Sequence, residues 1–447
     1  MTIDYPFLET SPWLDAPSDP QPALSNDTTT DVVIIGGGYT GLSAALTLRA
    51  AGADVVVLER GFAGSGASGR NAGHVTPTIG KDLPTTLRLF GRGRASALVR
   101  FADAAVEHTE EVIQKNQIDC HYNASGNVIA GVHPKHNRTL ERAADKARSL
   151  GAAVRFLGTG EMRERGLPPA FVCGVLEERG GTLNPGRYVA GLRAAALRAG
   201  VRLFEETHVL GLDDGAKVEA RTEHGAVTAN SAVIATNAYT EHLGRRKGHV
   251  VPLRVSLFET EPLSQTDLDG LGWKGREGVY TAHEALENYR LTAHGTLTGG
   301  SKVVRYRYGS QLPPGRDPAA FATIESVFRE RFPTLRDVPV ASFWGGWIGF
   351  TFDLIPQLGV EGSHENVHFG VGFNGHGVAQ ATLVGAMIGE RILGREHPQA
   401  AALGRRLRPW PPEPLRWFGY QLLNRAVALV DSRTDRQIRR QRNQGTS

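Results

Sequence analysis

One stretch constrains the fold of this chain more than any other: DVVIIGGGYTGLSAALTLRAAGADVVVLER, residues 31–60. It opens with an apolar run, passes a glycine cluster, continues through alanine and leucine, and ends on a second apolar run. Continuous apolar runs suit parallel strands covered on both faces, so the stretch predicts strand, tight turn, helix and strand. Gly36, Gly38 and Gly41 form G-x-G-x-x-G at the strand–helix junction. The first glycine permits the turn, the second lets backbone approach a pyrophosphate, and the third lets helix and strand pack closely. Free N–H groups at the helix start then face phosphate. Ala44, Ala45, Leu46 and Leu48 supply the packing face, and Gly52 ends the helix. Glu59 closes the second strand, near the usual position of an acid that accepts from ribose hydroxyls and repels a 2′-phosphate. The glycine pattern alone does not separate FAD from NAD.

The next segment does. GSGASGRNAGHVTP (64–77) follows the second strand, is too glycine-rich for a core, and offers backbone N–H groups with Ser68, Arg70 and Asn71. Such a loop runs beneath a long, extended cofactor. The chain's 54 glycines exceed the roughly 31 expected at about 7% usage, in keeping with many close backbone approaches.

At 447 residues the chain predicts two or three domains. Its net charge of +4 is spread along helical faces and reads as a solvated surface, not a nucleic-acid footprint. No apolar run reaches about 18 residues, so no membrane span is expected. The first residues do not resemble a signal peptide. Two cysteines without C-x-x-C point to a reducing cytoplasm. No Cys/His cluster has metal-ligand spacing, so no metal is expected.

Residues 1–30 read as an extended lead-in draped over the body. Helical patterns cover 92–118, 134–150, 316–331 and an alanine-rich segment behind Pro185. Strand patterns cover 126–132, VRLFEETHVLGLDD, KVEARTE and ANSAVIATNAYT, and residues 250–310 read as an antiparallel sheet. In the tail, Leu415, Phe418, Leu422, Ala426 and Val430 share one helical face. The expectation is that this face packs on the body; the alternative is a membrane-surface or partner helix giving peripheral association.

With these segments in view, the chain resembles the D-amino-acid oxidase (DAO) superfamily of FAD enzymes, in its γ-glutamylputrescine oxidase-like branch. The likeness rests on GGGYTGLSAA (36–45), GASGRNAGH (66–74), GTLNPGRYVAGL (181–192), ATNAYT (235–240), ETEPL (259–263), ENYRLTAHGTLTGG (287–300), FWGGWIGFTFDLIPQLG (343–359) and GFNGHGV (372–378). It implies a mixed α/β fold: a discontinuous Rossmann-like FAD domain (28–90, 182–250, 343–397), a substrate domain with an antiparallel sheet (91–181, 251–342) and a helical tail (398–447). It implies cofactor contacts from the motif residues and Thr40, from Arg60, Ala67, Gly73 and His74, and from Val209, Ala235 and Thr236. Gly349 and Asp353 are expected to close against the cofactor. Gly375, His376, Gly377 and Val378 would turn N–H groups and a positive helix end toward the flavin. Covalent relatives attach the flavin through a late cysteine, or through a histidine where this chain has Arg70, so non-covalent FAD is expected.

The implied reaction is hydride transfer from the carbon beside an amine nitrogen to the flavin, the imine product hydrolysing in water. Trp344, Trp347, Tyr289 and Phe350 are expected to wall an apolar pocket that favours a neutral amine. Relatives that oxidise α-amino acids clamp the carboxylate with an arginine; that position here is Ile348, and the nearest arginine is Arg290. The expected substrate is therefore a polyamine conjugate, an ω-amino acid or an N-alkylated amine. Monomeric sarcosine oxidases place a lysine over the flavin for oxygen activation; here Thr298 stands near that place and the closest lysine is Lys302. O2 is the expected electron acceptor; the alternatives are a D-amino-acid or other secondary-amine dehydrogenase passing electrons to a quinone, and a non-catalytic flavin-binding module; oligomeric state is open.

Overall fold

The apolar run ending at Ile35 forms the strand Thr28–Ile35, and the glycine turn delivers the chain into the helix Tyr39–Ala50. The computed structural model describes residues 5–80 and 83–445. Thr28–Ile35 lies between Val55–Leu58 and Ala226–Ile234, parallel to both. These strands are the centre of an eight-stranded sheet whose order runs Gln357–Glu361, Val367–Val371, Ala226–Ile234, Thr28–Ile35, Val55–Leu58, Arg202–Phe204; Val218–Arg221 and Gly211–Asp213 fold back antiparallel beside Ala226–Ile234. The central strands are buried on both faces, which is why they read as unbroken apolar runs.

Helix Gly377–Ile392 crosses Tyr39–Ala50 on this sheet at glycine-permitted distance. A Cβ at Gly385 would sit 2.3 Å from the Thr40 carbonyl oxygen. The segment 202–213 is not one strand. Arg202–Phe204 ends where Glu205 turns its carboxylate inward to Arg193 at 2.8 Å, and Glu206 takes φ +47° before Gly211–Asp213 resumes. The same Glu205 accepts from Ala63 N–H at 2.8 Å, so a buried ion pair holds the loop after Val55–Leu58.

The second eight-stranded sheet runs Val340–Phe350, Val251–Thr260, Leu297–Arg305, Glu287–Leu291, Gly278–Thr281, Asn127–Gly131, Cys173–Glu177, Val154–Leu157. All pairs are antiparallel except Gly278–Thr281 with Asn127–Gly131. Helix Pro318–Arg331 packs Phe321, Ile324 and Phe328 on one face against Phe258 and Phe343. The domain boundary expected at 343 falls within the strand Val340–Phe350. Val340–Phe350 hydrogen-bonds along Val251–Thr260, and the chain returns to the first sheet only at Gln357. Helix Leu83–Lys115 begins earlier than expected and breaks at Gly91. Both cysteines are buried, and burial pushes their thiols up to about 11.

From Tyr5 onward the lead-in drapes as expected; residues 1–4 lie outside the described residues. Phe7 bridges Phe343, and Ser11 Oγ and Trp13 Nε1 both donate to the Gly69 carbonyl. The tail helix Leu415–Gly445 does not pack as expected. The stripe of Leu415, Phe418, Leu422, Ala426 and Val430 faces outward, with Leu422 72% exposed. The opposite face carries Trp417, Tyr420, Asn424, Asp431, Thr434 and Asp435 and rests on the second sheet. Its anchor is a buried ionic cluster. Asp435 reaches Arg331 at 3.1 Å, His283 at 3.3 Å and Lys302 at 3.4 Å, while Glu287 takes Arg331 at 2.8 and 2.9 Å and Lys302 at 3.2 Å. Polar pairing to cations from distant strands, not an apolar stripe, decides which face docks. No helix among the described residues is long and apolar enough to cross a membrane.

Candidate active site

A cavity of about 880 Å³ runs between the two sheets. The glycine turn forms one wall through Gly36, Gly38 and Thr40. Gly41 lies behind it: a Cβ there would meet the Gly36 carbonyl oxygen at 1.9 Å, so only glycine lets helix and strand approach. Ser68 Oγ accepts from Tyr39 N–H at 3.1 Å, joining the loop to the helix start. Glu59 and Arg60 line the cavity from the end of the second strand. Glu59 accepts from Gly37 N–H at 2.8 Å and Gly61 N–H at 3.0 Å, against burial that pushes its carboxyl up. The loop contributes Ala67, Ser68, Arg70, Asn71, Gly73 and His74, and Val209, Ala235 and Thr236 line the same space. Opposite them, Gly375, His376, Gly377 and Val378 bring the start of the helix Gly377–Ile392, which no side chain caps.

His74 is the most defined polar group on the wall. Its Nδ1 stands 2.9 Å from Asn127 Oδ1. The Asn127 amide nitrogen already donates to the Val75 and Gly181 carbonyls, so Oδ1 is the acceptor and Nδ1 carries the proton. Nε2 is then an acceptor, and it has no protein partner. Burial above all, then nearby Arg290 and His376, lowers His74 to about 4 against the opposing Asn127 bond, leaving the ring neutral at pH 7. Burial lowers His376 to about 4 as well. Tyr280 lines the cavity beside His74 and donates its hydroxyl to Glu177 at 2.5 Å. Burial raises the Glu177 carboxyl to about 7.

Several expected site residues stand elsewhere. Strand alternation puts Gly346, Ile348 and Phe350 on the cavity and Trp347 on the other side, its ring under Arg254. Trp344 shares the Ile348 side but is covered by Trp13 and by the loop, donating Nε1 to the Arg70 carbonyl at 3.0 Å. Tyr289 packs against Phe332 in the core behind the sheet. Of the four expected aromatic walls only Phe350 lines the cavity. Arg290 points into a neighbouring cavity of about 440 Å³, under Trp13, with its Nε donating to the Ala72 carbonyl. Asp353 faces Arg405, which grips both carboxylate oxygens at 2.5 and 2.8 Å, so it closes the turn against the chain rather than the cavity. Gly349 abuts Asn237 and does not line the cavity. Thr298 donates to the Phe258 carbonyl within the second sheet, and Lys302 belongs to the ionic cluster. That cluster also brings His283, Glu287 and Asp435 within 4.8 Å of one another, but Lys302 and Arg331 occupy the same carboxylate oxygens a metal would need.

Sequence reading missed Glu284 and Leu286 in the turn between Gly278–Thr281 and Glu287–Leu291, Asn288 on the second sheet, and Tyr420, Leu423, Asn424 and Val427 on the tail helix, all of which line the cavity. Period-two alternation outward from Tyr289 marks Asn288; nothing local marks the tail residues.

The cavity fits FAD. It is long, it joins two uncapped helix starts, it carries an acid at the ribose position, and its wall leaves His74 Nε2 and Asn288 Oδ1 without partners. Comparison with known proteins agrees. The family profile described as FAD dependent oxidoreductase (DAO) matches residues 31–391. The chain is 31% identical over 381 residues to the gamma-glutamylputrescine oxidoreductase of Escherichia coli (strain K12), covering 84% of this chain and 86% of that one. It is 30% identical over 411 residues to the probable oxidoreductase OrdL of Rhizobium meliloti (strain 1021), covering 88% and 91%. The crystal structure of glycine oxidase from Geobacillus kaustophilus shares the fold at TM-score 0.72 and 20% identity, over 85% of this chain and all of that one.

Proposed function

The chain belongs to the DAO family of FAD-dependent oxidoreductases, and on that premise we propose that it oxidises amines rather than small α-amino acids. The observation that carries this is the charge on the cavity wall. Among the described residues lining it, the only arginines are Arg60 and Arg70, and none is a lysine. Arg60 lies over the Tyr239 ring, and Arg70 is committed to the Ser65, Glu9 and Gly345 carbonyls. Ile348 stands where a carboxylate clamp is expected, and no arginine or lysine among the other described lining residues is free to replace it. Glu284, by contrast, places a carboxylate at the rim, which suits a cationic amine arriving from water.

The residues holding FAD are the glycine turn with Glu59 and Arg60, the loop 67–74, Val209, Ala235, Thr236 and the helix start at Gly375–Val378. The bond is non-covalent, since Cys120 and Cys173 are buried outside the cavity. FAD bound there would supply the acceptor for a hydride leaving the carbon next to the amine nitrogen, and water would hydrolyse the resulting imine to a carbonyl compound and an amine. His74 Nε2, neutral and fixed by Asn127, accepts from the substrate N–H and orients it. Leu253, Val255, Leu257, Ile348 and Phe350 exclude water and favour the neutral amine. Suitable substrates are polyamine conjugates, ω-amino acids and N-alkylated amines.

O2 is the acceptor in this reading, giving H2O2, on the strength of the branch resemblance. One observation favours a dehydrogenase passing electrons to a quinone instead: no described residue lining the cavity is a lysine, and Lys302 is held by Glu287, Asp431 and Asp435. Peroxide release under air with the best amine separates the two. The primary test is an anaerobic screen for flavin bleaching across polyamine conjugates, ω-amino acids, N-methyl amines, glycine and D-alanine. Bleaching fastest with amines is expected; glycine or D-alanine matching the best amine overturns the assignment.

A further inference from the structure

The family match ends at residue 391, yet the tail beyond it reaches the cavity. Tyr420, Leu423, Asn424 and Val427 line it from the helix Leu415–Gly445. The helix is fixed there by its own side chains. Asp431 accepts from Glu284 N–H and Ala285 N–H, both at 3.0 Å, and Tyr420 donates to the Val304 carbonyl at 2.7 Å. Glu284, Ala285 and Val304 line the same cavity. One residue pair thus fastens the helix to the part of the second sheet that forms the facing wall, and the Asp435 cluster fastens the next turn. The charge on this end of the chamber is one-sided. Glu59 and Glu284 are the only carboxylates among the described lining residues, and the oxygens of Glu59 are taken by Gly37 and Gly61.

We propose that the C-terminal helix is the outer wall of the substrate chamber and selects amines by length, with Glu284 facing a second cationic nitrogen at the far end. This rests on the amine-oxidising reading above. Asn424 and the aliphatic Leu423 and Val427 would flank the methylene chain between the two nitrogens.

The test uses the full-length holoenzyme and a series of α,ω-diamines of increasing length beside n-alkyl monoamines. Leu423→Trp, which enlarges a side chain 58% exposed at the chamber's mouth, should raise KM for the longer diamines by about two- to tenfold, less than overfilling a closed core would, and leave the shortest within about twofold. Glu284→Gln should raise KM for diamines by about two- to fivefold more than for monoamines of the same length, as for an exposed charge. Leu422→Trp, on the outward stripe, should change neither. Bis(trimethylammonium)alkanes are bound without oxidation, and their affinity is read from the flavin spectrum. If that affinity follows length and the two variants while no amine bleaches the flavin, the wall stands and the amine reading falls. If amines are oxidised but Leu423→Trp and Glu284→Gln shift mono- and diamines alike, or shift nothing, the wall is refuted.

Discussion

Ile348→Arg asks whether one side chain separates amine from amino-acid chemistry. Ile348 lines the cavity among Leu253, Val255, Leu257 and Phe350, and its Cδ1 comes within 3.5 Å of where a Gly375 Cβ would stand. Among the described lining residues the only carboxylates are Glu59, whose oxygens are taken by Gly37 and Gly61, and Glu284 at the exposed rim, so an incoming α-carboxylate becomes the guanidinium's first strong acceptor inside the cavity. A charge-assisted bond is worth about 1.5–3 kcal/mol, which is roughly a 10- to 150-fold gain in kcat/KM for glycine or D-alanine. A substrate ammonium about 5 Å away loses about 3 kcal/mol to repulsion at an effective dielectric of about 20, roughly two orders of magnitude against amines. The unpaired guanidinium should also lower the melting temperature of the free enzyme, with acetate restoring part of the loss. The assay is anaerobic flavin reduction by stopped flow, with flavin content and melting temperature measured on the same preparation. A folded, flavin-loaded Ile348→Arg enzyme that gains nothing toward glycine and D-alanine refutes the reasoning.

Three other perturbations follow from the geometry. Gly41→Ala forces a Cβ to 1.9 Å from the Gly36 carbonyl oxygen, so the variant should purify without flavin, read from its 450 nm absorbance, or fail to fold. Glu287→Ala leaves Arg331 and Lys302 buried with less compensation, at about 3–5 kcal/mol; near 1–2 °C per kcal/mol for a chain of 447 residues, the melting temperature should fall by roughly 3–10 °C. Burial alone pushes the Glu287 carboxyl up, but Arg331, His283 and Lys302 outweigh it and hold it low, so its stabilisation is present above its unfolded pKa and is lost as pH falls through the folded value. Glu177 has the opposite sign: raised from 4.5 to about 7, it should cost the fold up to about 3 kcal/mol as pH climbs from about 5 to 8, and Glu177→Gln should flatten that part of the melting-temperature profile.

What the sequence made legible was what is local. Gly36, Gly38, Gly41 and Glu59 act within one strand–turn–helix–strand unit, and the loop 64–77 follows directly. Errors arose where a partner lies far along the chain. Asp353 was read toward the cofactor because nothing near it announces Arg405. Trp344 and Trp347 were read as one aromatic wall, although adjacent odd and even positions of a strand face opposite ways and Trp13 covers the one on the right side. The tail was oriented by its apolar stripe, whereas Asp431 and Asp435 dock it through Lys302, Arg331 and two backbone N–H groups. Hydrophobic periodicity carries no information about buried ionic partners, so that face was invisible.

The order of strands has a consequence for how this protein is made. Thr28–Ile35, near the start, waits for Ala226–Ile234, which in turn waits for Val367–Val371. Val251–Thr260 likewise stays without its edge neighbour until Val340–Phe350 has left the ribosome. Neither sheet is a unit that an emerging chain completes and sets aside; both are finished by the same late segment. Pairings of such long sequence separation are slow and leave strand edges open during synthesis. The cavity, whose lining runs from Ile35 to Val427, can therefore close only after the last of these segments has left the ribosome.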